Sequence, residues 1–311
     1  MRYRNPAAFR QALEARLNAA AREGGRPIGR ARKLVAFTRL LARLKHVAPE
    51  GWALKGGFAL ELRLGARARA TRDVDLDWTG SIHEATEALV SAAALDLGDY
   101  FEFQVERTRD LPETDGGGVR FKADAYLAGR LFEQLVIDVG IPLTPPSPTE
   151  RLAVSDLLAF AEVVAPSIPA VRLERHLAEK LHAYTRRYGV GRESSRPKDL
   201  IDMVLIRELA EFEFGRLRAA LVEVFDARAT HDLPTSLPSP PESWGRPYAA
   251  LAREVGVQPD PNHGHAEVAN FLDPVLLNDS SFDRWNPLTG RWREHLSRSR
   301  AVHTAVLVSR R

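Results

Sequence analysis

Residues 54–78 read LKGGFALELRLGARARATRDVDLDW, and the reading of the N-terminal half follows from them. A Gly56-Gly57 turn precedes a short apolar helix, a basic loop and then carboxylates at Asp73, Asp75 and Asp77. In a strand alternate residues share a face, about 7 Å apart along the chain, so Asp73 and Asp75 project toward one spot. Like charges on one face repel, and a protein that places them so normally needs a cation there. A glycine turn opening a helix leaves backbone N–H groups free, and these attract phosphate. The stretch therefore predicts a cation-binding carboxylate pair beside an anion-binding turn.

Working outward, residues 34–47 have apolar side chains at helical spacing, with Pro49 closing the run. Residues 52–54 form a strand candidate, 58–64 a helix ended by Gly65, and 73–78 a half-buried strand. Ser81-Ile82-His83-Glu84 is a capping-box signature for a helix reaching about residue 97, where Gly98 stops it. Strands are expected over 101–107, 119–126 and 131–139, the last two joined hairpin-fashion through Leu127-Ala128-Gly129-Arg130. This order indicates an α+β fold, a small mixed sheet with helices against it. Pro142, Pro145, Pro146 and Pro148 mark a linker. Beyond it helices are expected over 156–164, 171–188, 198–209 and 214–225. A second proline cluster (Pro234, Pro238, Pro240, Pro241, Pro247) gives a Pro-rich break near 232–247. The expected organisation is an α+β domain over 1–145 and a mainly helical domain over 146–311.

A chain of 311 residues with 44% hydrophobic content can support two cores. The absence of cysteine excludes disulfides, thiolate zinc sites and a cysteine nucleophile. The N-terminus MRYRNPAAFRQALEARL lacks a signal-type apolar core, and no run of about 18 apolar residues occurs. A soluble, cytoplasmic protein without a membrane span is expected. The net charge of +3 hides an asymmetry: residues 1–70 hold 16 Lys/Arg against 4 Asp/Glu, and residues 284–311 hold seven arginines against Glu294 alone. Basic ends around a more acidic middle suit an anionic partner such as RNA or a nucleotide. An arginine-rich solvated surface is the other reading.

Phosphoryl-type transfer from a nucleoside triphosphate needs carboxylates for one or two divalent ions, cations for the triphosphate and an in-line hydroxyl. Asp73 and Asp75 supply the first pair. Asp138, set in LVIDVG, is the best third carboxylate because burial among apolar neighbours without a partner is costly. Asp77 and Asp124 are its rivals. The plainer alternatives are a solvated edge strand for Asp73 and Asp75, and a strand-end turn residue for Asp138. In the helical half Lys180 borders a Leu173, Leu177, Leu181, Tyr184 stripe, and Asp199 and Asp202 lie three apart behind Pro197. Lys180 also reads as a snorkelling lysine, and Asp202 as half of an ion pair with an arginine or Lys180. His263-Gly264-His265 falls in a Pro/Asn/Gly-rich stretch read as a loop without a third ligand, and Gly116-Gly117-Gly118 reads as a flexible connection.

Taken together, these residues resemble the AbiEii/AbiGii-type toxin nucleotidyltransferases of the DNA polymerase β-like superfamily. The resemblance rests on the turn and helix of Gly56, Gly57, Ala59 and Leu60, then on Thr71, Asp73 and Asp75 as a T-x-D-x-D strand. Asp138, Glu179-Lys180-Leu181 and the K-D-x-x-D of Lys198 to Asp202 complete it, so that it covers roughly residues 50–210. It implies the toxin of a bacterial toxin–antitoxin or phage-defence pair, a transferase that moves a nucleotide from an NTP, with Mg²⁺ or Mn²⁺, onto RNA. The 3′ end of tRNA is the implied acceptor and a translation block the outcome, with a separately encoded antitoxin as partner. Implied roles are metal ligation for Asp73, Asp75 and Asp138, and phosphate or nucleotide binding for Gly56, Gly57, Thr71, Lys180 and Asp199. Asp202 would orient Lys180 or touch the nucleotide, and Arg67, Arg69 and Arg72 would meet RNA. Transfer onto a protein hydroxyl or small molecule, or a non-catalytic RNA-binding module, are the alternatives.

Overall fold

The Asp73–Trp78 strand lies at the centre of a seven-stranded sheet. In chain order its strands are β1 (Trp52–Lys55), β2 (Asp73–Trp78), β3 (Phe101–Leu111), β4 (Gly118–Leu127), β5 (Arg130–Gly140), β6 (Thr149–Ala153) and β7 (Ser167–Val171), and in space they run β3-β4-β5-β2-β1-β7-β6. β2 pairs parallel to β5 and antiparallel to β1. The computed structural model describes residues 1–24, 27–111, 117–142, 149–154, 156–187 and 196–295. Gly116, Pro145, Pro146, Pro148, Tyr188 and the arginine-rich tail from 296 onward lie outside them.

The chain divides into two compact units. The first comprises Met1–His176 with Ala227–Ala229 and Leu251–Val257; the second comprises Leu177–Asp226, Thr230–Ala250 and the chain from Gln258. In the first unit helices α1 (Pro6–Gly24), α2 (Ile28–Val47) and α4 (Ile82–Ala94) bury Phe9, Leu13, Phe37, Leu40, Leu44 and Leu89 with Val74, Leu76, Phe121, Leu135 and Ile137 of the sheet. Ser81 and Glu84 form the expected capping box at α4. Leu127 pairs with Arg130 across a two-residue turn in which Ala128 (φ 53°) and Gly129 (φ 68°) both take left-handed backbone, as a type I′ hairpin demands. The Arg10 guanidinium of α1 donates to the carbonyls of Leu127, Arg130 and Leu131 at 2.7, 2.8 and 3.1 Å.

A buried charge cluster ties α2 to the chain leaving α4. Asp99 accepts from Arg39 Nε at 2.6 Å and from Arg43 Nη2 at 2.5 Å, and all three residues are buried. Burial works against the Asp99 carboxylate, but the two guanidiniums override it and hold its pKa below the ordinary value.

Three expectations need correction. Residues 156–164 form no α-helix; only Ala159–Ala161 make a one-turn 3₁₀ segment, and Glu162 turns left-handed at φ 58°. The strands β6 and β7 on either side of it, unforeseen in the sequence, pair antiparallel and join the first sheet through β1. Pro166 and Pro169 break the strand pattern there, while Leu157, Leu158, Ala161 and Val163 imitate helical spacing. The His263-Gly264-His265 stretch is not a loop. It lies in a helix that Asp260 caps through Asn262 N–H and Pro261 opens.

In the second unit α6 (Pro197–Ile206) packs on α9 (Pro261–Leu276). A three-stranded sheet runs β10 (Arg291–Glu294), β9 (Phe282–Asn286), β8 (Phe212–Glu213). Trp285 is fully buried there, 4.6 Å from the Phe271 ring. Most of helices α5 (Leu173–Thr185) and α7 (Phe214–Arg228) and the first part of α8 (Gly245–Val255) also belong to this unit.

Candidate active site

Strand register sets the site. Lys55 on β1 stands opposite Asp75 on β2, Asp75 beside Asp138 on β5, Asp138 opposite Arg120 on β4, and Arg120 opposite Arg109 on β3. A single line of five charged side chains thus crosses five neighbouring strands. Asp73 and Asp77 flank Asp75 on the same face, because side chains alternate along a strand. Val74 and Leu76 take the opposite face and are fully buried in the core.

Two cations bracket the carboxylates. Arg120 grips Asp138 in a bidentate pair, Nε to Oδ1 and Nη2 to Oδ2, both at 2.6 Å. Such a fork is among the stronger charge-assisted arrangements. The hydrogen bond to Asp138 raises the Arg120 pKa above its ordinary value against partial desolvation, and the charges of Asp138, Asp73 and Asp75 add to the rise. One guanidinium therefore senses three carboxylates. At the other end Lys55 pairs with Asp77, which is fully buried.

The two glycines are shaped to these side chains. Gly56 opens α3 (Gly56–Leu64) at φ +66°, and a Cβ there would fall 1.9 Å from Asp75 Oδ2. A Cβ on Gly57 would fall 2.7 Å from Thr71 Oγ1 and 3.4 Å from Arg69 Nη2. Thr71 is buried and donates to the Asp73 carbonyl at 3.1 Å. The turn thus brings backbone close against the carboxylate strand. Arg67 and Arg72 in the connecting loop are exposed and Arg69 is half-buried.

A second cluster belongs to the C-terminal unit. Lys180 on α5 lies 2.8 Å from Asp202 Oδ2 and 3.4 Å from Asp199 Oδ1. Arg196 adds a 2.7 Å contact to Asp199 Oδ2. Lys180, Asp199 and Asp202 are all buried, so this is a desolvated ion cluster rather than a snorkelling lysine over a solvated face. Asp199 and Asp202, three apart on α6, meet one ammonium group, as their spacing requires.

Sequence reasoning missed Lys55 and Arg120. Lys55 sits beside the glycine turn and looked like loop. Arg120 sits in GVRFKADAYL, where period-2 alternation puts it on the same face as Lys122 and Asp124; its proximity to Asp138 follows from hairpin register alone. Asp124 instead accepts from Gln134 at 3.0 Å on the outer part of this face. His265 contacts the Leu237 carbonyl at 3.0 Å and His263 lies 3.8 Å from Glu267.

Asp73, Asp75 and Asp138 on one sheet face, the last two register neighbours, with a glycine cradle beside Asp75, provide hard oxygen donors suited to Mg²⁺ or Mn²⁺. Among the described residues no three such groups converge into a ready-made cage, and both Asp138 oxygens are occupied by Arg120.

A mixed sheet with carboxylates on paired central strands beside a Gly-Gly turn is a fold of nucleotidyltransferase type. The family model described as "Nucleotidyl transferase AbiEii toxin, Type IV TA system" matches residues 39–286. The chain belongs to this family of toxin nucleotidyltransferases of type IV toxin–antitoxin systems. Its fold is similar to that of MenT4, the nucleotidyltransferase toxin Rv2826c from Mycobacterium tuberculosis H37Rv. That likeness has a TM-score of 0.54 at 21% identity, over 88% of this chain and 99% of that one. No curated protein matches the chain. A toxin of this class implies an antitoxin partner and an NTP substrate. Among the described residues no helix is long and apolar enough to cross a membrane.

Proposed function

We propose that the enzyme transfers a nucleotide from an NTP to the 3′-hydroxyl of RNA, tRNA foremost, and so blocks translation in the cytoplasm. The observation that supports this most is the register that sets Asp75 beside Asp138 with Asp73 on the same face. In this reading Asp73, Asp75 and Asp138 hold a divalent ion, Mg²⁺ or Mn²⁺. Bound there, the ion supplies Lewis-acid charge stabilisation at the reacting phosphate.

The rest is done by the chain's own groups. Gly56 and Gly57 offer N–H groups to the β- and γ-phosphates at the start of α3, where the helix dipole favours anions. Lys180, positioned by its 2.8 Å contact with Asp202 and by Asp199, neutralises triphosphate charge. Thr71 fixes the entry to β2 and hence the aim of Asp73. Asp138 accepts the proton of the attacking hydroxyl. The 3′-oxygen then bonds to the α-phosphorus as the bond to pyrophosphate breaks. Arg67, Arg69 and Arg72 meet the RNA backbone.

The test is incubation of purified protein with total RNA and each labelled NTP separately, followed by sequencing of the labelled 3′ ends. Wild type should label tRNA 3′ ends, and Asp75→Ala should label nothing while keeping its circular dichroism spectrum. Label that survives RNase, or an active D75A protein, would overturn the proposal.

A further inference from the structure

We propose that Arg120 is a built-in counter-ion that competes with the divalent ion for Asp138 and, once displaced, binds the phosphates of the incoming NTP. The inference rests on the metal reading above, and what carries it is the geometry around Asp138.

Both oxygens of Asp138 are taken by Arg120 at 2.6 Å. A carboxylate held in a fork spends one acceptor site of each oxygen on the guanidinium, so an inner-sphere ion must compete with the fork or take the remaining sites. Asp138 is nonetheless the register neighbour of Asp75, the place from which a third ligand must come. Arg120 therefore holds the carboxylate that an ion shared by Asp75 and Asp138 would need. Without it Asp138 would lose its guanidinium while sharing a face with Asp75 and Asp73, and like-charge repulsion on Asp138 would rise. With it that repulsion is offset, and an ion that takes the fork's sites must open the fork.

The released guanidinium has a defined neighbourhood. On its far side the next residue in the row is Arg109, exposed and directly opposite on β3. Like charges directly opposite on neighbouring strands disfavour each other, so Arg120 gains nothing by turning outward alone. The two guanidiniums together suit an anion with several oxygens, and a triphosphate is the one this site takes. Ion binding and phosphate binding are thus coupled through one side chain: the ion frees Arg120, and the phosphates retain it away from Asp138.

The coupling predicts opposite signs for two binding constants in one variant. On the full-length protein without nucleotide, Mn²⁺ binding is measured by the electron paramagnetic resonance signal of the free ion. Arg120→Gln should bind Mn²⁺ about tenfold or more tightly than wild type, since the guanidinium that competes for both Asp138 oxygens has been removed. In saturating Mn²⁺ the same variant should bind a non-hydrolysable NTP about tenfold more weakly. Arg120→Lys should fall between. In an Asp138→Asn background the R120Q gain in Mn²⁺ affinity should vanish. A merely structural role for Arg120 would weaken both affinities together.

If R120Q binds Mn²⁺ no more tightly than wild type, or binds the NTP analogue equally well, the inference is wrong. Asp75→Asn separates this from failure of the metal reading. If D75N loses Mn²⁺ binding while R120Q equals wild type, only the counter-ion role falls. If D75N binds Mn²⁺ as wild type does, the metal assignment itself falls and the inference with it.

Discussion

Gly56→Ala puts a methyl group where the structure has room for none. The added Cβ would lie 1.9 Å from Asp75 Oδ2, 2.7 Å from its Cγ and 3.0 Å from its Cβ. Contacts of this kind do not fall below about 3.0 Å, so the carboxylate must retreat by about 1 Å or the turn must open. The backbone adds its own cost, because φ at Gly56 is +66° and a left-handed L-residue costs about 1–2 kcal/mol. Overpacking of a fixed side chain costs a further 1–3 kcal/mol or so. The combined destabilisation is about 2–5 kcal/mol. A misplacement of about 1 Å at a catalytic group costs about a hundredfold in rate. Urea denaturation gives the first quantity and labelled-NTP transfer the second, assayed at a temperature where the variant is folded. Gly57→Ala is the control: its φ is not left-handed, and its Cβ meets the Thr71 hydroxyl at 2.7 Å rather than a carboxylate on the central row. It should lose less of both, and a Thr71→Ala background should relieve part of the loss. A G56A protein with wild-type stability and activity would refute the idea that this glycine exists to seat Asp75.

The remaining predictions concern the two polar networks away from the carboxylate row. Asp99→Asn leaves Arg39 and Arg43 buried without their carboxylate and should cost about 3–5 kcal/mol in urea denaturation; a loss under 1 kcal/mol would show that the cluster is solvated in practice. Because the folded Asp99 pKa is depressed, its stabilisation is present above the unfolded carboxylate value of about 3.9 and is lost as pH falls through the lower folded value. His231 donates or accepts within a Thr185–His231–Thr230–His182 network, with contacts of 2.7 to 3.0 Å. Burial lowers its pKa, the nearby Arg186 adds to that, and Asp232 opposes it. The neutral ring is the folded form, so its contribution is complete above the unfolded value of about 6.5 and declines as pH falls through the folded one. Histidine NMR titration should show one ring with a midpoint below 6.5, and His231→Gln should flatten the melting temperature across that range. An unshifted ring would sink this reading.

What could be read from the sequence was what is decided locally. The Ser81–Glu84 box, the Ala128-Gly129 turn and the alternation of Asp73, Val74, Asp75 and Leu76 each involve neighbours within a few residues, and their chemistry admits few alternatives. The pairing of Lys180 with Asp199 and Asp202 was half-visible, since three-residue spacing places both aspartates on one helix face. Register between distant strands was not visible at all. Nothing in the chain near Asp138 announces that Arg120 will grip it, and nothing near Lys55 announces Asp77. β7 escaped because Pro169 interrupts the period-2 signal that a strand needs, and β6 because its five residues, TERLA, are short and largely exposed. Helix α1 escaped as well: arginines and alanines dilute its three buried anchors, Phe9, Leu13 and Leu17, below recognisable amphipathicity.

The charged row also has a history within each molecule. Lys55 and Asp75 come off the ribosome early, but their partners on the row, Arg120 and Asp138, arrive only with β4 and β5. Chains emerge N-terminus first, at about 5–20 residues per second, and the parallel β2–β5 pairing can close only after the β4–β5 hairpin has been made. Until then β2 presents aspartates that have neither their third carboxylate nor the arginine that restrains it. A prematurely terminated product ending before Asp138 carries half a centre. For a toxin translated beside the RNA it is proposed to modify, this non-local strand order makes activity a property of the finished chain, and it delays the hazard until synthesis of that copy is well past β5.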